Sequence, residues 1–209
     1  MRRGVGLTPQ SSLGRLYLAL VLDAMGRFDE ALDEAANARQ IDPLSPFVLT
    51  MSGGSMIIAG PSEESLSYLC RALDLQPGYL FAMWALGLAL CQLRRTGEAL
   101  NLFKRIVAVS QEPCYLALLG MAYGLDGRIG EAQGVLSTFD EREHMAQYIP
   151  AFARYFVTLG FGDTVAVRES FARAIEERTP PLTLPLIPGI VNFRTDPEID
   201  RMHREFFGR

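Results

Sequence analysis

A repeat of about 34 residues runs through most of the 209-residue chain and constrains its fold more than any other feature. Gly26 and Gly60 are 34 positions apart, and so are Pro43 and Pro77. Each unit of such a repeat is one supersecondary motif that buries its apolar face only against its neighbours. The period therefore indicates a stack of units rather than one globular core.

The composition and the small residues of each unit favour helices throughout. Ala and Leu are abundant, whereas Val, Ile and Thr are not clustered into strands. In the first unit, Gly26 is predicted to end one helix, and Pro43 follows the end of the next. Between them, Ala31, Ala35 and Ala38 form a narrow face that allows close approach of the paired helix. The predicted helix pairs span residues 13–41, 47–75, 80–109, 113–139 and 149–178.

A change in composition divides the chain into a predicted repeat array at residues 12–178 and a tail at residues 179–209. Prolines are frequent at the start of the tail and predict an extended, non-helical loop. A short helix is predicted over residues 196–207, with Asp196 as its cap and Pro197 in its first turn. Because the end of a stack exposes an apolar face, we expect this helix to cap the last repeat.

Charge and hydropathy exclude several classes of function. The chain has 20 basic and 24 acidic residues without a basic stripe, so we expect no binding to nucleic acid. It has no run of 18 apolar residues, so we expect no membrane span. The first residues lack the apolar core of a signal peptide. We therefore expect a soluble, cytoplasmic protein.

The residues do not point to catalysis or to a metal. Three cysteines without a CxxC motif favour small buried side chains in a reducing compartment. His144 and His203 have no ligand partner at helical spacing, so a metal site is not expected. No P-loop, GxSxG, HExxH or EF-hand motif occurs. We predict a protein that is not an enzyme, with no catalytic residues, no cofactor and no metal.

The fourth unit has the residue pattern of a known repeat. It carries Leu119, Gly120, Tyr123 and Ala132 at the spacing of the tetratricopeptide repeat (TPR), which it resembles. The fifth unit departs most, with Tyr155 where the family has a small residue. The resemblance implies an all-α, right-handed superhelical solenoid of about five antiparallel helix pairs. It also implies a module for protein–protein interaction.

A narrower resemblance involves the junctions and the end of the array. Residues 41–47 and 80–87 look like segments common in bacterial repeat regions. Residues 176–178, followed by Phe193 to Pro197, are similar to the C-terminal ends of TPR regions in bacterial winged-helix regulators, adenylate cyclase-like proteins and serine/threonine kinases. This resemblance implies an interaction or sensory module of a signalling protein.

The TPR resemblance also implies a binding groove on the concave face, lined by the first helix of each pair. On this chain the lining is apolar and aromatic, and an exposed apolar surface of that size is unusual without a partner. Trp84, the only tryptophan, would be the natural anchor. The candidate partner-binding residues are Leu16, Leu20, Phe47, Phe81, Trp84, Leu88, Met121, Phe152 and Phe156. The alternative is that these side chains pack on one another or on the tail.

The expected ligand is an apolar helix or extended peptide. Members of the family that clamp a C-terminal carboxylate use Lys and Asn in the groove, and at the sixth position of each unit this chain has neither. The residues there are Tyr17, Met51, Ala85, Leu118 and Ala153. Two alternatives remain open. One is self-association through the groove or the uncapped first helix, and the other is sensing of a small apolar ligand.

Overall fold

The computed structural model describes residues 10–60, 62–177 and 197–207, which form eleven α-helices. The predicted proline-rich loop and the predicted cap Asp196 lie outside the described residues. The helices are α1 (Ser12–Ala24), α2 (Phe28–Ile41), α3 (Pro46–Ala59), α4 (Glu63–Leu75), α5 (Leu80–Gln92), α6 (Thr96–Val109), α7 (Pro113–Leu125), α8 (Ile129–His144), α9 (Ala151–Phe161), α10 (Thr164–Glu176) and α11 (Pro197–Phe207).

The chain divides into two compact units, with the boundary inside α5, between Ala89 and Leu90. In the first unit, α1 packs on α2, α2 on α3 and α3 on α4, and α1 also contacts α3. In the second, α7 packs on α6, α8 and α9, and α9 packs on α10. Each unit is therefore built from antiparallel helix pairs, with contacts between the first helices of successive pairs. The predicted all-α fold of helix pairs is confirmed.

At four of the described helices, α1, α3, α4 and α10, a side chain just before the helix accepts from a free backbone N–H of the first turn. The hydroxyl of Ser11 accepts from the backbone N–H of Gly14 at 3.0 Å. The hydroxyl of Ser62 accepts from the backbone N–H of Ser65 at 3.2 Å. Helix α9 begins after Pro150, whose side chain has no acceptor. There Glu177, just after α10, accepts instead from the backbone N–H of Ala151 at 2.9 Å.

The predicted face of small residues on α2 is confirmed. Ala31, Ala35 and Ala38 are each 0% exposed. Ala31 and Ala35 lie in one apolar cluster with side chains of α1, and Ala38 packs with Leu16 of α1 and Val48 of α3. Because alanine side chains are short, the backbones of α1 and α2 can approach closely while larger residues of α1 fill the space beside them.

Glycines create two close approaches in the second unit. A methyl group added at Gly120 would lie 2.9 Å from Cγ2 of Val157 in α9 and 3.2 Å from Val135 in α8. A methyl group at Gly124 would lie 2.6 Å from the carbonyl carbon of Gly160. Helices α7 and α9 therefore meet backbone to backbone at Gly124 and Gly160.

The fifth helix pair uses aromatic packing where earlier pairs use small residues. Tyr155, at the small position of the repeat, is buried. Its ring centroid lies 5.5 Å from that of Phe171 in α10 and 5.9 Å from that of Phe156. Helix α11 contacts α10, and its Ile199 side chain is buried.

Helix α8 is longer than predicted, since it continues from residue 139 to His144. The sequence prediction ended at Phe139, the last residue of the apolar pattern. The added turn is polar and is held from outside the helix, because Arg154 of α9 bonds Asp140 at 2.7 Å and Glu143 at 2.8 Å. Ion pairs of this kind leave no periodic trace in the sequence.

None of the described helices is long and apolar enough to cross a membrane. Within the same residues, no group of three or more His, Cys, Asp or Glu side chains is placed to hold a metal ion.

Gly120→Leu tests the close approach of α7 to its neighbours. The new side chain would overlap Val157 and Val135, so we expect the free energy of unfolding to fall by about 3 kcal/mol or more. Gly134→Leu is the matched control, since Gly134 is an exposed helical glycine with no atom within 4 Å of an added methyl group. The control should gain up to about 1 kcal/mol from helix propensity. Equal unfolding midpoints in urea for the two variants would contradict this packing.

Candidate functional site

Four aromatic side chains of the first unit form one half-buried cluster, here called the aromatic patch. Its members are Phe47, Tyr79, Phe81 and Trp84. Phe81 is central: its ring centroid lies 5.7 Å from that of Trp84 at an interplanar angle of 23°, 6.1 Å from Tyr79 and 6.2 Å from Phe47. These are the spacings of interacting rings.

The repeat explains why these rings meet. Phe47 and Phe81 are 34 positions apart, and each is the second residue of the first helix of its pair. The start of α3 is set by Ser45, whose hydroxyl accepts from the N–H of Val48 at 3.3 Å. Trp84 follows Phe81 by one helical turn and therefore lies on the same face of α5.

Tyr79 joins the patch from the turn before α5. Its backbone carbonyl accepts from the N–H of Met83 at 3.0 Å, which makes it the residue that opens the helix. The preceding Gly78 has a φ of 84°, a left-handed conformation that favours glycine and that turns the chain into α5. Partial burial raises the pKa of the Tyr79 phenol above its usual value. The patch is therefore uncharged at neutral pH.

The structure separates the predicted groove residues by depth. Five are half-buried and offer part of their side chain to solvent. They are Leu20, Phe47, Phe81, Trp84 and Phe152. Three of these five are in the aromatic patch. Phe152, in the second unit, makes an edge contact with Phe156 at 6.3 Å.

The other four predicted groove residues are buried in the structure. They are Leu16, Leu88, Met121 and Phe156, and none is more than 3% exposed. Leu16 packs with Ala38 of α2 and Val48 of α3. In the second unit the contact of α7 with α9 through Gly160 helps to enclose Met121. A partner would reach these four side chains only after the helices around them had moved.

A buried acid lies at the contact of α1 with α3. Asp23 is 1% exposed, and its Oδ2 accepts from the hydroxyl of Ser55 at 2.7 Å. Its Oδ1 is also buried, and none of the described residues hydrogen-bonds to it. Burial raises the pKa of this carboxyl from 3.8 to about 7, although the hydrogen bond from Ser55 opposes the rise.

The cysteines differ from the expectation of uniform burial. Cys91 is buried, and burial raises the pKa of its thiol to about 12. Cys114 is half-buried, whereas Cys70 is exposed on α4. Leu66, Leu69 and Ala72 form the buried face of α4, and Cys70 lies off that face. None of the three cysteines forms a disulfide.

The roles of Tyr79, Ser55 and Gly160 were not predicted from the sequence. Tyr79 lies outside the helical positions that were carried over from the TPR groove. Ser55 pairs with Asp23 across 32 positions, and only the stacking of α1 on α3 brings the two together. Gly160 lies at the backbone contact with α7. Gly160 lies 40 positions after Gly120. This spacing differs from the repeat period of about 34 residues, so the repeat pattern did not indicate that Gly160 is a packing residue.

Comparisons with solved structures identify proteins that have a similar fold. No protein-family model matches the chain, and no curated protein sequence matches it. Among solved structures, PilW, described as a widely conserved type IV pilus biogenesis factor, is 20% identical with a TM-score of 0.63. That match covers 96% of this chain and 86% of PilW.

Two further solved structures share the fold. MamA is 18% identical with a TM-score of 0.56, and the match covers 70% of this chain and 87% of MamA. YrrB, described as a TPR protein with an unusual peptide-binding site, is 17% identical with a TM-score of 0.52. The match covers 88% of this chain and 95% of YrrB. At these identities the likeness shows the fold alone, and it confirms the predicted TPR-like helical repeat.

Asp23→Asn tests the buried carboxyl. Because the pKa of Asp23 is raised in the folded state, its neutral form favours folding at low pH. Between about pH 4 and pH 7 the unfolded chain releases this proton more readily than the folded chain does. The contribution to the free energy of unfolding is therefore lost as the pH rises through that range. The variant cannot ionise, so above pH 7 it should be the more stable protein by up to about 4 kcal/mol. Urea unfolding of both proteins at pH 4.5 and pH 8 measures this, and an equal difference at both pH values would contradict it.

Proposed function

We propose that this chain is a non-enzymatic protein-interaction module that binds an apolar peptide or helix on its aromatic patch. The observation that carries the proposal is the arrangement of the patch itself. Four large rings from two successive repeats and the turn between them lie side by side, each partly open to solvent. Each ring also has a neighbouring ring that holds its position before a partner arrives.

Aromatic side chains suit this role because they bury a large area at a small cost in conformational entropy. Binding free energy at protein interfaces is concentrated in a few such anchors, with Trp and Tyr strongly enriched. Stacking of Trp84 on Phe81 already restricts both side chains in the free protein. Little of the binding free energy would then be lost in ordering them.

The chemistry of the patch favours an apolar ligand over an acidic one. The patch contains no cationic side chain, and its polar groups are the Tyr79 hydroxyl and the indole N–H of Trp84. The sixth residue of each unit is neither Lys nor Asn, so the carboxylate clamp of some TPR proteins has no counterpart here. An amphipathic helix or an extended segment with aliphatic and aromatic side chains matches the patch best.

The fold supports this proposal, since YrrB, which is similar in structure, is described as a peptide-binding TPR protein. The resemblance of the chain's end to TPR regions of winged-helix regulators, cyclase-like proteins and kinases extends the proposal to bacterial signalling. Three cysteines with no disulfide among them agree with a reducing compartment such as the cytoplasm.

Trp84→Ala tests the proposal with peptides selected from a random displayed library against the native protein. We expect the selected peptides to be rich in apolar and aromatic residues. Trp84→Ala should weaken their binding at least tenfold, because the anchor of the patch is lost, while Trp84→Phe keeps part of the affinity. Isothermal titration calorimetry gives the dissociation constants.

Val109→Ala is the control, since this exposed side chain lies at the end of α6, in the other unit. It should bind as the native protein does. Circular dichroism checks that each variant keeps its helices and its melting transition. Undiminished binding by Trp84→Ala would refute the proposed anchor, and a collapse of the melt together with binding would identify Trp84 as core.

A further inference from the structure

The aromatic patch has two polar groups, and both can donate a hydrogen bond. The indole N–H of Trp84 is a donor only, whereas the Tyr79 hydroxyl can donate and accept. Partial burial raises the pKa of the Tyr79 phenol, so this hydroxyl keeps its proton at neutral pH. Phe47 and Phe81 add no polar atom. The side chains of the patch therefore offer two donors and, apart from the same hydroxyl, no acceptor.

Both donors are available to a partner. None of the described residues accepts a hydrogen bond from the Tyr79 hydroxyl or from the Trp84 indole, and neither atom is fully buried. Water can therefore solvate both groups in the free protein. A partner that covers the patch displaces this water and has to supply acceptors in its place, because a buried donor without an acceptor lowers the affinity.

An α-helical ligand would pair poorly with these donors. The backbone carbonyls of a helix accept from N–H groups of the same helix. Only its side chains could accept from Tyr79 and Trp84, and the apolar side chains that suit the four rings carry no acceptor. A helix would thus match the apolar part of the patch and leave its two donors unpaired.

An extended peptide of ordinary residues meets the opposite difficulty. Each residue brings a carbonyl acceptor and also an N–H donor. The carbonyls can accept from the patch, but the N–H groups would find the Tyr79 hydroxyl as their only side-chain acceptor there. The described residues form helices alone, so in this part of the chain no strand edge offers its carbonyls to them.

A proline-rich segment in the polyproline II conformation meets both requirements. Its backbone has no internal hydrogen bonds, so its carbonyl oxygens are free to accept. Proline has no N–H, so few donors of the ligand are buried without a partner. The partial charges are complementary, since N–H and O–H groups on the patch face carbonyl oxygens on the ligand. Proline-rich segments of this conformation dock on surfaces lined by aromatic rings.

We propose that the partner of the aromatic patch presents a proline-rich segment in the polyproline II conformation, whose backbone carbonyls accept from the Tyr79 hydroxyl and the Trp84 indole. This inference rests on the proposed function, because it names the ligand class of the same patch. Both sides are ordered before they meet. Proline restricts the free ligand, and Tyr79 and Trp84 each already contact the ring of Phe81.

Isothermal titration calorimetry of the full chain with synthetic peptides tests the ligand class. One peptide has proline at most positions, with leucine between the prolines. A second has the same leucines on one face of an alanine-rich helix, and a third is the first with every proline replaced by alanine. We expect the proline-rich peptide to bind at least tenfold more tightly than either of the others. Its binding should weaken at least tenfold in Trp84→Ala.

Tyr79→Phe tests the hydrogen bond on its own, because it keeps the ring and removes only the hydroxyl. It should weaken binding of the proline-rich peptide about fivefold. Tyr17→Phe is the matched control, since it removes the hydroxyl of a tyrosine that is 48% exposed on α1, outside the patch, and it should leave the affinity unchanged. Circular dichroism checks that both variants keep their helices.

The possible failures separate this inference from the proposed function. If library-selected peptides bind in a Trp84-dependent way but the proline-rich peptide does not bind, or binds no better than the helical one, the inference is wrong and the proposed function stands. Unchanged affinity in Tyr79→Phe would also overturn it, and so would binding that ignores Trp84→Ala. Binding that appears only after residues 180–188 are replaced by Gly and Ser would identify the chain's own prolines as the occupant and overturn a separate partner.

Discussion

The close approach of neighbouring helices at small residues is the interaction on which the rest of this structure depends. In the first unit the face of Ala31, Ala35 and Ala38 is completely buried. In the second unit the backbones of α7 and α9 meet at Gly124 and Gly160. Helices that touch this closely bury the larger apolar residues beside the contact, and interiors packed at such density tolerate little added volume.

The candidate site follows from the same stacking. When the first helices of successive repeats lie side by side, residues one period apart become neighbours. Phe47 and Phe81 are such a pair, and their rings interact at 6.2 Å. The caps at Ser45 and Tyr79 set where the two helices begin. The aromatic patch is thus a product of the repeat and of local backbone chemistry together, and it needs no element outside the first unit.

Much of the fold could be predicted from the sequence, because period, capping residues and small-residue spacing are local patterns. The third helix pair, α5 and α6, begins and ends at the predicted residues, 80 and 109. The depth of each groove residue could not be predicted in this way, since it depends on how near the next helix comes. Met121 was expected to line an open groove but is 0% exposed, in a helix whose backbone meets α9 at Gly160. Tyr155 stands where the TPR family has a small residue, and its ring packs against that of Phe171.

We propose that the aromatic patch is a surface prepared for a partner and not part of the core. Trp84 is the only tryptophan, so its fluorescence reports on the patch alone. Acrylamide quenching in the free native protein measures how far the indole is open to solvent. We expect quenching well above that of a buried indole, and a clear fall when an apolar peptide selected on the native protein is added. Quenching as low as that of a core tryptophan in the free protein would contradict it.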